Sequence, residues 1–311
     1  MAKNKNTRSK SASKHYPVQR HIRLKDATTA VGGGRFLMAS RALSATNRRL
    51  YRQSRVYSMK IDADIGSVAA SNGVDVYILR DTWDLHGAYK YAMKTYYNAI
   101  KEELAVGGAK TRWHDFRVKP DFQSDEIGFE AFYPDPSTPV MDSTLVTMGE
   151  QDFSIVSDAA GGDKTFGLDR STAGTIYSIM GEWNNKDRVD SDPASVSTSM
   201  PYAGIVEDYD ESTYDHLREN GALPPYATSS DIEIWHKVGT VRQVSPDGVM
   251  KLSTGFFDAP LGLVVLVSNA FTTSSASHGL TVTFQSGNYK GVKAPAYATP
   301  VLTEEMEYEV V

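Results

Sequence analysis

Basic residues are concentrated at the start of the chain. The first 60 residues contain fifteen Lys or Arg and one acid, Asp26, whereas residues 61–311 contain eighteen Lys or Arg and thirty-seven Asp or Glu. The two parts therefore carry net charges of about +14 and about −19. Because a segment this basic repels itself and buries little apolar surface, the pattern predicts an extended arm that binds a polyanion, of which nucleic acid is the commonest.

Small polar residues separate most of the basic side chains in this arm. Such spacing keeps the charges accessible to phosphate groups without fixing a readout geometry, so we expect salt-sensitive and nearly sequence-independent binding. The candidate nucleic-acid-binding residues are Lys3, Lys5, Arg8, Lys10, Lys14, Arg20, Arg23, Lys25, Arg48, Arg49 and Arg52. A nuclear-localisation signal within residues 3–25 and a solubilising tail are the alternative interpretations.

Residues suited to catalysis are scarce. The chain has no Cys, which excludes disulfides, thiolate zinc sites and cysteine nucleophiles. The seven His residues form neither an HExxH nor an HxH pattern. His114 and Asp115 are adjacent, but neighbouring residues on a strand face opposite sides, which favours a structural role for the histidine. We therefore predict that the protein is not an enzyme.

Two acid-rich groups are candidates for a hard metal ion, and calcium shared between subunits is the form such a site would take. Neither has the spacing of an EF-hand, and most acid-rich loops are simply solvated, so the prediction is no cofactor and no metal site. The groups are Asp187, Asp190 and Asp192, and Glu207, Asp208, Asp210 and Glu211.

The composition predicts three segments. Residues 1–34 are polar and end in three glycines, which is typical of a disordered basic arm. Residues 35–54 interleave apolar side chains with arginines and form a basic connecting segment, part of which can fold as a short helix. Residues 55–311 form the folded domain. No apolar run is long enough to span a bilayer and no secretory signal is present, so we expect a cytoplasmic or nuclear protein without membrane insertion.

Strict alternation of apolar and polar residues over Arg55–Ile65 predicts a half-buried strand, and Val74–Leu79 a second one. Residues 82–106 place apolar side chains at intervals of three and four, which predicts one long helix capped by Asp81 or Thr82. Its aromatic and Met stripe is expected to pack into the core.

Short β-like runs separated by turn residues follow Lys110. The predicted strands are Trp113–Val118, Ile127–Phe132, Ser143–Met148, Asp152–Val156, Ile176–Trp183, Ile232–Val241, Gly262–Val267 and Thr281–Phe284. Asp187–Tyr226 interrupts this rhythm and is predicted to be a long surface excursion. Many short strands with a single long helix indicate an all-β, antiparallel sandwich or barrel.

Three segments resemble the jelly-roll capsid proteins of small circular single-stranded DNA viruses that encode a replication-initiator protein, with nodavirus-like coats as relatives in fold. The segments are Asp81-Thr82-Trp83-Asp84, Arg112-Trp113-His114-Asp115-Phe116-Arg117-Val118 and Ser253-Thr254-Gly255-Phe256-Phe257-Asp258-Ala259-Pro260-Leu261-Gly262-Leu263. The layout of a basic arm before a β-rich body is similar as well.

The resemblance implies an antiparallel jelly-roll sandwich with one long helix in a connection. It implies a capsid protein that self-assembles into an icosahedral shell and packages a single-stranded genome through its arm. The implied partners are further copies of the chain, viral genomic nucleic acid and a host-cell receptor or glycan. The implied location is the virion, with the host nucleus or cytoplasm during assembly.

Two other functions fit the same sequence. A cellular nucleic-acid-binding β-sandwich protein would have the same arm but remain monomeric or dimeric. A β-sandwich lectin or hydrolase would need a pocket of convergent polar groups.

Overall fold

The computed structural model describes residues 17–24, 34–65, 73–106, 113–120, 129–131, 153–157, 162–168, 175–185, 234–243, 251–269 and 278–299. Strands dominate these ranges, and all but one of their pairings are antiparallel. The predicted all-β, antiparallel class is confirmed. No helix in the described ranges has the length and apolar character needed to cross a membrane.

Two five-stranded sheets form the body. In spatial order, the first contains β11 (Phe257–Ala259), β3 (Tyr57–Ile65), β13 (His278–Phe284), β1 (His21–Leu24) and β5 (Phe129–Ala131). The second contains β10 (Lys251–Leu252), β9 (Trp235–Gln243), β4 (Gly73–Leu79), β12 (Leu263–Asn269) and β2 (Gly34–Met38). Buried residues of both sheets belong to one apolar cluster, so the two sheets pack against each other as a sandwich.

The strand predicted from alternation at the start of the body is confirmed as β3. Tyr57, Met59 and Ile61 are fully buried, whereas Lys60 and Asp62 are half-buried and form an ion pair at 2.9 Å. The second predicted strand is confirmed as β4. In β3 the apolar face meets the core, as period-two patterning requires, whereas β4 is buried along most of its length on both faces.

Nested pairing connects the beginning of the body to its end. β3 pairs with β13, and the next strand, β4, pairs with β12, the strand before β13. β11 is joined to β12 by a single 3-10 turn, Pro260–Gly262, in which Leu261 and Gly262 adopt left-handed φ angles of 56° and 64°. Strands from the beginning of the body along the chain are therefore hydrogen-bonded neighbours of strands from its end.

The long helix is confirmed as α2 (Trp83–Val106). Leu85, Tyr89, Met93 and Tyr96 are buried and pack with Phe116 in a second apolar cluster. The predicted stripe is thus core packing. The exposed Lys90 and Lys94 lie on the opposite side of the helix, as the periodicity requires.

A smaller sheet lies next to this helix. It contains β6 (Ile155–Ser157), β7 (Asp163–Gly167) and β8 (Ile176–Ser178), and β7 and β8 form the one parallel pair. The predicted strand Ile176–Trp183 is correct only for its first three residues, because α3 (Ile179–Asn185) begins there. Ser178 Oγ accepts a hydrogen bond from Gly181 N at 2.9 Å and so caps the new helix.

The prediction of a strand over Trp113–Val118 is wrong. This segment is buried at Phe116 and Val118, but a side chain takes part in its hydrogen bonding. Arg117 N donates to Ser154 Oγ at 2.9 Å, and Arg117 O accepts from Ser154 N at 2.9 Å. The apolar residues of this segment reflect its burial. In a β-ladder Arg117 N would donate to a backbone carbonyl, but here it donates to the hydroxyl of Ser154.

The predicted boundary of the basic arm differs from the structure. β1 lies inside the first sheet between β13 and β5, and its Ile22 and Leu24 are buried. β2 and α1 (Ala39–Asn47) are also part of the body, since Leu37, Ala42 and Leu43 belong to the sandwich core. Apolar burial therefore outweighs the basic composition of residues 21–24 and 35–47.

The remaining predicted strands overlap strands of the structure, with bounds that differ by a few residues. Ile127–Phe132, Asp152–Val156, Ile232–Val241, Gly262–Val267 and Thr281–Phe284 correspond to β5, β6, β9, β12 and β13. The predicted strand Ser143–Met148 and the excursion Asp187–Tyr226, with its acidic groups, lie outside the described residues.

Candidate nucleic-acid interface

Five of the predicted nucleic-acid-binding residues lie in the described ranges: Arg20, Arg23, Arg48, Arg49 and Arg52. The other six, Lys3, Lys5, Arg8, Lys10, Lys14 and Lys25, lie outside them. Arg23 is on the exposed face of β1, and Arg48 is exposed at the end of α1, where its φ of 50° ends the helix. These two arginines place positive charge at the surface.

Arg20, Arg49 and Arg52 converge with two cations that were not predicted, Arg55 and Lys290. We call a group of seven side chains the cationic cluster: Arg20, Arg49, Arg52, Arg55, Lys290, Tyr51 and Tyr289. It forms where residues 49–55 meet the turn between β14 (Ser286–Gly287) and β15 (Gly291–Val292). Arg20, which lies within the predicted arm, reaches the same place, because its Nε donates to Gly291 O at 2.8 Å.

Like charges act on one another inside the cluster. The pKa of the Lys290 ammonium is lowered, first by burial, which removes water from the charged form, and then by Arg52 and Arg55. Asp115 opposes this shift and Arg49 adds to it. The lysine is half-buried and donates a hydrogen bond from Nζ to Leu50 O.

Two tyrosine rings hold the cations in place. The guanidinium of Arg55 lies 4.0 Å from the centroid of the Tyr289 ring, and Lys290 Nζ lies 5.4 Å from it. The rings of Tyr51 and Tyr289 meet edge-on with centroids 5.9 Å apart. Both cation–ring distances are within the range of attractive cation–π contacts, so the rings offset part of the repulsion.

Hydrogen bonds between tyrosine hydroxyls and the backbone join the two halves of the cluster across the fold. Tyr51 Oη donates to Lys290 O at 2.9 Å, and Arg52 N donates to Tyr289 Oη at 3.2 Å. Lys290 has a φ of 51°, a left-handed conformation that is unusual for a residue with a side chain. The positions of these cations are therefore set by the fold.

A buried carboxylate lies beside the cluster. Asp115 Oδ2 accepts a hydrogen bond from Gln53 N at 2.9 Å and lies 3.9 Å from Arg117 Nε. Burial raises the pKa of Asp115 to about 6, although Arg117, the hydrogen bond from Gln53 and Arg52 all favour the ionised form. Asp115 thus neutralises the cluster only in part.

His114 and Asp115 have different neighbours. The His114 ring stacks on Tyr96, with centroids 5.8 Å apart and planes 10° apart, while the Asp115 carboxylate bonds Gln53. Burial and the nearby Arg117 lower the pKa of His114. Within the described ranges, no three His, Asp or Glu side chains are grouped so that they could hold a metal ion.

The members of the cluster that sequence reasoning missed come from distant parts of the chain. Lys290 lies about 240 residues after Leu50, whose carbonyl it contacts. The only local signal is the Tyr289-Lys290 pair directly after the turn residues Gly287 and Asn288. An aromatic and a basic residue at a turn do not by themselves predict a site.

The cationic cluster has the donor groups needed to bind an anion. Several guanidinium groups and one ammonium group lie close together, and phosphate oxygens are the partners that such donors bind best.

The chain matches no protein-family model, no curated protein and no solved structure.

Proposed function

We propose that the protein is a viral capsid protein that assembles into a closed shell and packages a single-stranded genome through its basic N-terminal segment. The observation that carries this proposal is the position of the cationic cluster. The predicted arm joins the body next to a group of cations that the fold itself assembles. Positive charge thus continues from the arm onto one place of an otherwise acidic body.

The strand pairing supports a jelly-roll form of the sandwich. A jelly roll is a long antiparallel ribbon rolled onto itself, which makes strands from its beginning pair in nested order with strands from its end. The pairs β3–β13 and β4–β12 have this order. In this proposal α2 occupies the connection after β4, on the side of the body where the second apolar cluster forms.

Charge balance is consistent with packaging. If about sixty copies form the smallest icosahedral shell, basic segments of about +14 supply on the order of 800 positive charges. That number is comparable to the phosphates of a genome of about a kilobase, so neutralisation can drive packaging. The acidic remainder of each copy disfavours binding of the same polyanion to the outside.

The size of the recombinant full-length protein tests the proposal. We expect closed particles by negative-stain microscopy, with an absorbance ratio at 260 and 280 nm that indicates bound nucleic acid. Deleting residues 2–16 removes five of the predicted phosphate contacts, and we expect particles with less nucleic acid. Monomers or dimers at every salt concentration would exclude a shell and favour the cellular nucleic-acid-binding protein.

A further inference from the structure

We propose that the cationic cluster is a fixed phosphate-binding site on the folded body, distinct from the phosphate contacts predicted for the basic residues before position 17. This deepens the proposed function, because the phosphate source in a capsid would be the packaged strand. Only that identification of the source rests on the proposed function. The site itself rests on the contacts of the described residues.

Like charges are crowded around Lys290. Lys290 is half-buried, and three arginines lie close enough for their charges to act on it. Burying an ammonium group next to like charges destabilises the fold, and the left-handed backbone at Lys290 adds strain. An anion at this place would remove the repulsion, which gives a physical reason for the arrangement.

The fold already holds several side chains of the cluster in place. Arg55 lies over the Tyr289 ring and its Nη1 donates to Ala294 O at 3.2 Å, while Arg20 Nε donates to Gly291 O. Each guanidinium has five N–H donors, of which these carbonyls take one. Because the fold already orients the side chains, a ligand loses little entropy in ordering them.

The donor groups of the cluster favour phosphate as the ligand. Guanidinium groups match the planar pairs of oxygens on phosphates, and Lys supplies a point charge for the same group. Arg55 occupies a face of the Tyr289 ring, so that face is not open to a stacking base. The site should therefore recognise phosphates without regard to base sequence, whether they belong to a polynucleotide or to a free polyphosphate.

Thermal unfolding of the full-length chain with tripolyphosphate tests the site. A ligand stabilises a protein only if it binds the folded state better than the unfolded state, and charges that bind it equally well in both states give no such difference. A site built by the fold gives one. We expect the midpoint of unfolding to rise by roughly 5 °C at a hundredfold excess over Kd.

Single-charge variants locate the binding. Arg49→Gln and Lys290→Gln should each weaken tripolyphosphate binding about tenfold, since each removes a charge-assisted contact. Lys94→Gln on the exposed side of α2 is the matched control and should leave the affinity unchanged. The ligand-induced change is compared within each variant, so differences in basal stability do not affect it.

The outcomes separate the site from the proposed function. Absence of any rise in the wild-type chain, or an equal rise in all three variants, would overturn the phosphate site. A short oligothymidine that competes with tripolyphosphate identifies a polynucleotide backbone as a ligand, whereas failure to compete assigns the site to free polyphosphate. A site that binds in a protein forming no particles supports this inference and contradicts the capsid proposal.

Discussion

Gln19 and Asn47 exchange two hydrogen bonds. Gln19 N donates to Asn47 Oδ1 at 2.8 Å, and Asn47 Nδ2 donates to Gln19 O at 3.2 Å. Asn47 is the last residue of α1, and the same amide group also donates to Leu43 O at 3.1 Å. The Asn47 side chain therefore holds the segment that precedes β1 at the end of α1, next to Arg20 of the cationic cluster.

Asn47→Ala should loosen this attachment. Three partly buried hydrogen bonds of the Asn47 side chain are lost, two with Gln19 and one with Leu43, so we expect a decrease of about 2–4 kcal/mol in the free energy of unfolding. Limited trypsin digestion should cut faster after Arg20, whose backbone is next to the released residue. Asn47→Asp is the matched control, because its carboxylate can still accept from Gln19 N but cannot donate. Equal cleavage rates in all three proteins would show that Asn47 does not hold the segment.

Gly262 and Gly255 form a second testable pair. Both have positive φ angles, 64° and 68°, but a Cβ on Gly262 would lie 2.7 Å from Tyr57 Cδ2, whereas nothing lies within 4 Å of a Cβ on Gly255. Gly255→Ala should cost about 1–2 kcal/mol for the left-handed backbone alone. Gly262→Ala adds a clash with a buried ring and should cost about 2–5 kcal/mol. Chemical denaturation measures both, and equal losses would refute the packing argument.

The pH dependence of stability should depend on Asp115. Its pKa is about 6 in the folded chain and near 3.8 without burial. A raised pKa means that the folded state holds the proton more tightly, so the contribution to stability is fully present below about pH 4 and is lost as the pH rises through about 6.

Asp115→Asn keeps the shape of the side chain and stays neutral. From pH 4 to pH 7 the wild-type chain should become less stable relative to this variant by up to about 3 kcal/mol, as measured by denaturation at each pH. The opposite trend would mean that the Arg117 guanidinium, 3.9 Å away, outweighs the cost of burying the charge.

The parts of the fold that the sequence predicted are those with a long local pattern. β3 alternates over nine residues and α2 repeats its apolar stripe over many turns, so each pattern identifies its own element. β1 has only four residues, two of them basic or His on the exposed face, and its burial comes from β13 and β5. Its strand state depends on partners that are distant in sequence.

The candidate site was predictable only in part for the same reason. Arg20, Arg49 and Arg52 were found because basic residues are dense in the first 60 positions. Lys290 and Arg55 join them through contacts between residues about 240 positions apart. No local spacing encodes such a contact, since the nested pairing of strands brings these segments together.

Two N-terminal deletions test which residues the folded body needs and which belong only to the arm. Deleting residues 2–16 removes none of the described residues and should leave the free energy of unfolding within about 0.5 kcal/mol of the full chain. Deleting residues 2–24 removes β1, which pairs on both sides and buries Ile22 and Leu24. Each buried aliphatic side chain contributes about 2–5 kcal/mol, so the longer deletion should cost more than about 4 kcal/mol or prevent folding.

Denaturant unfolding measures the stability of both deletions, and Arg23→Gln in the full chain is the control. The comparison shows whether a loss of stability comes from the lost pairing of β1 or from the lost positive charge. Arg23 is on the exposed face of β1, so its substitution removes charge without removing the strand, and stability should stay within about 0.5 kcal/mol. If the deletion of residues 2–24 is as stable as the full chain, β1 is dispensable for folding and the predicted arm extends to residue 24, as its basic composition suggests. If the shorter deletion already unfolds the protein, residues before 17 take part in the body.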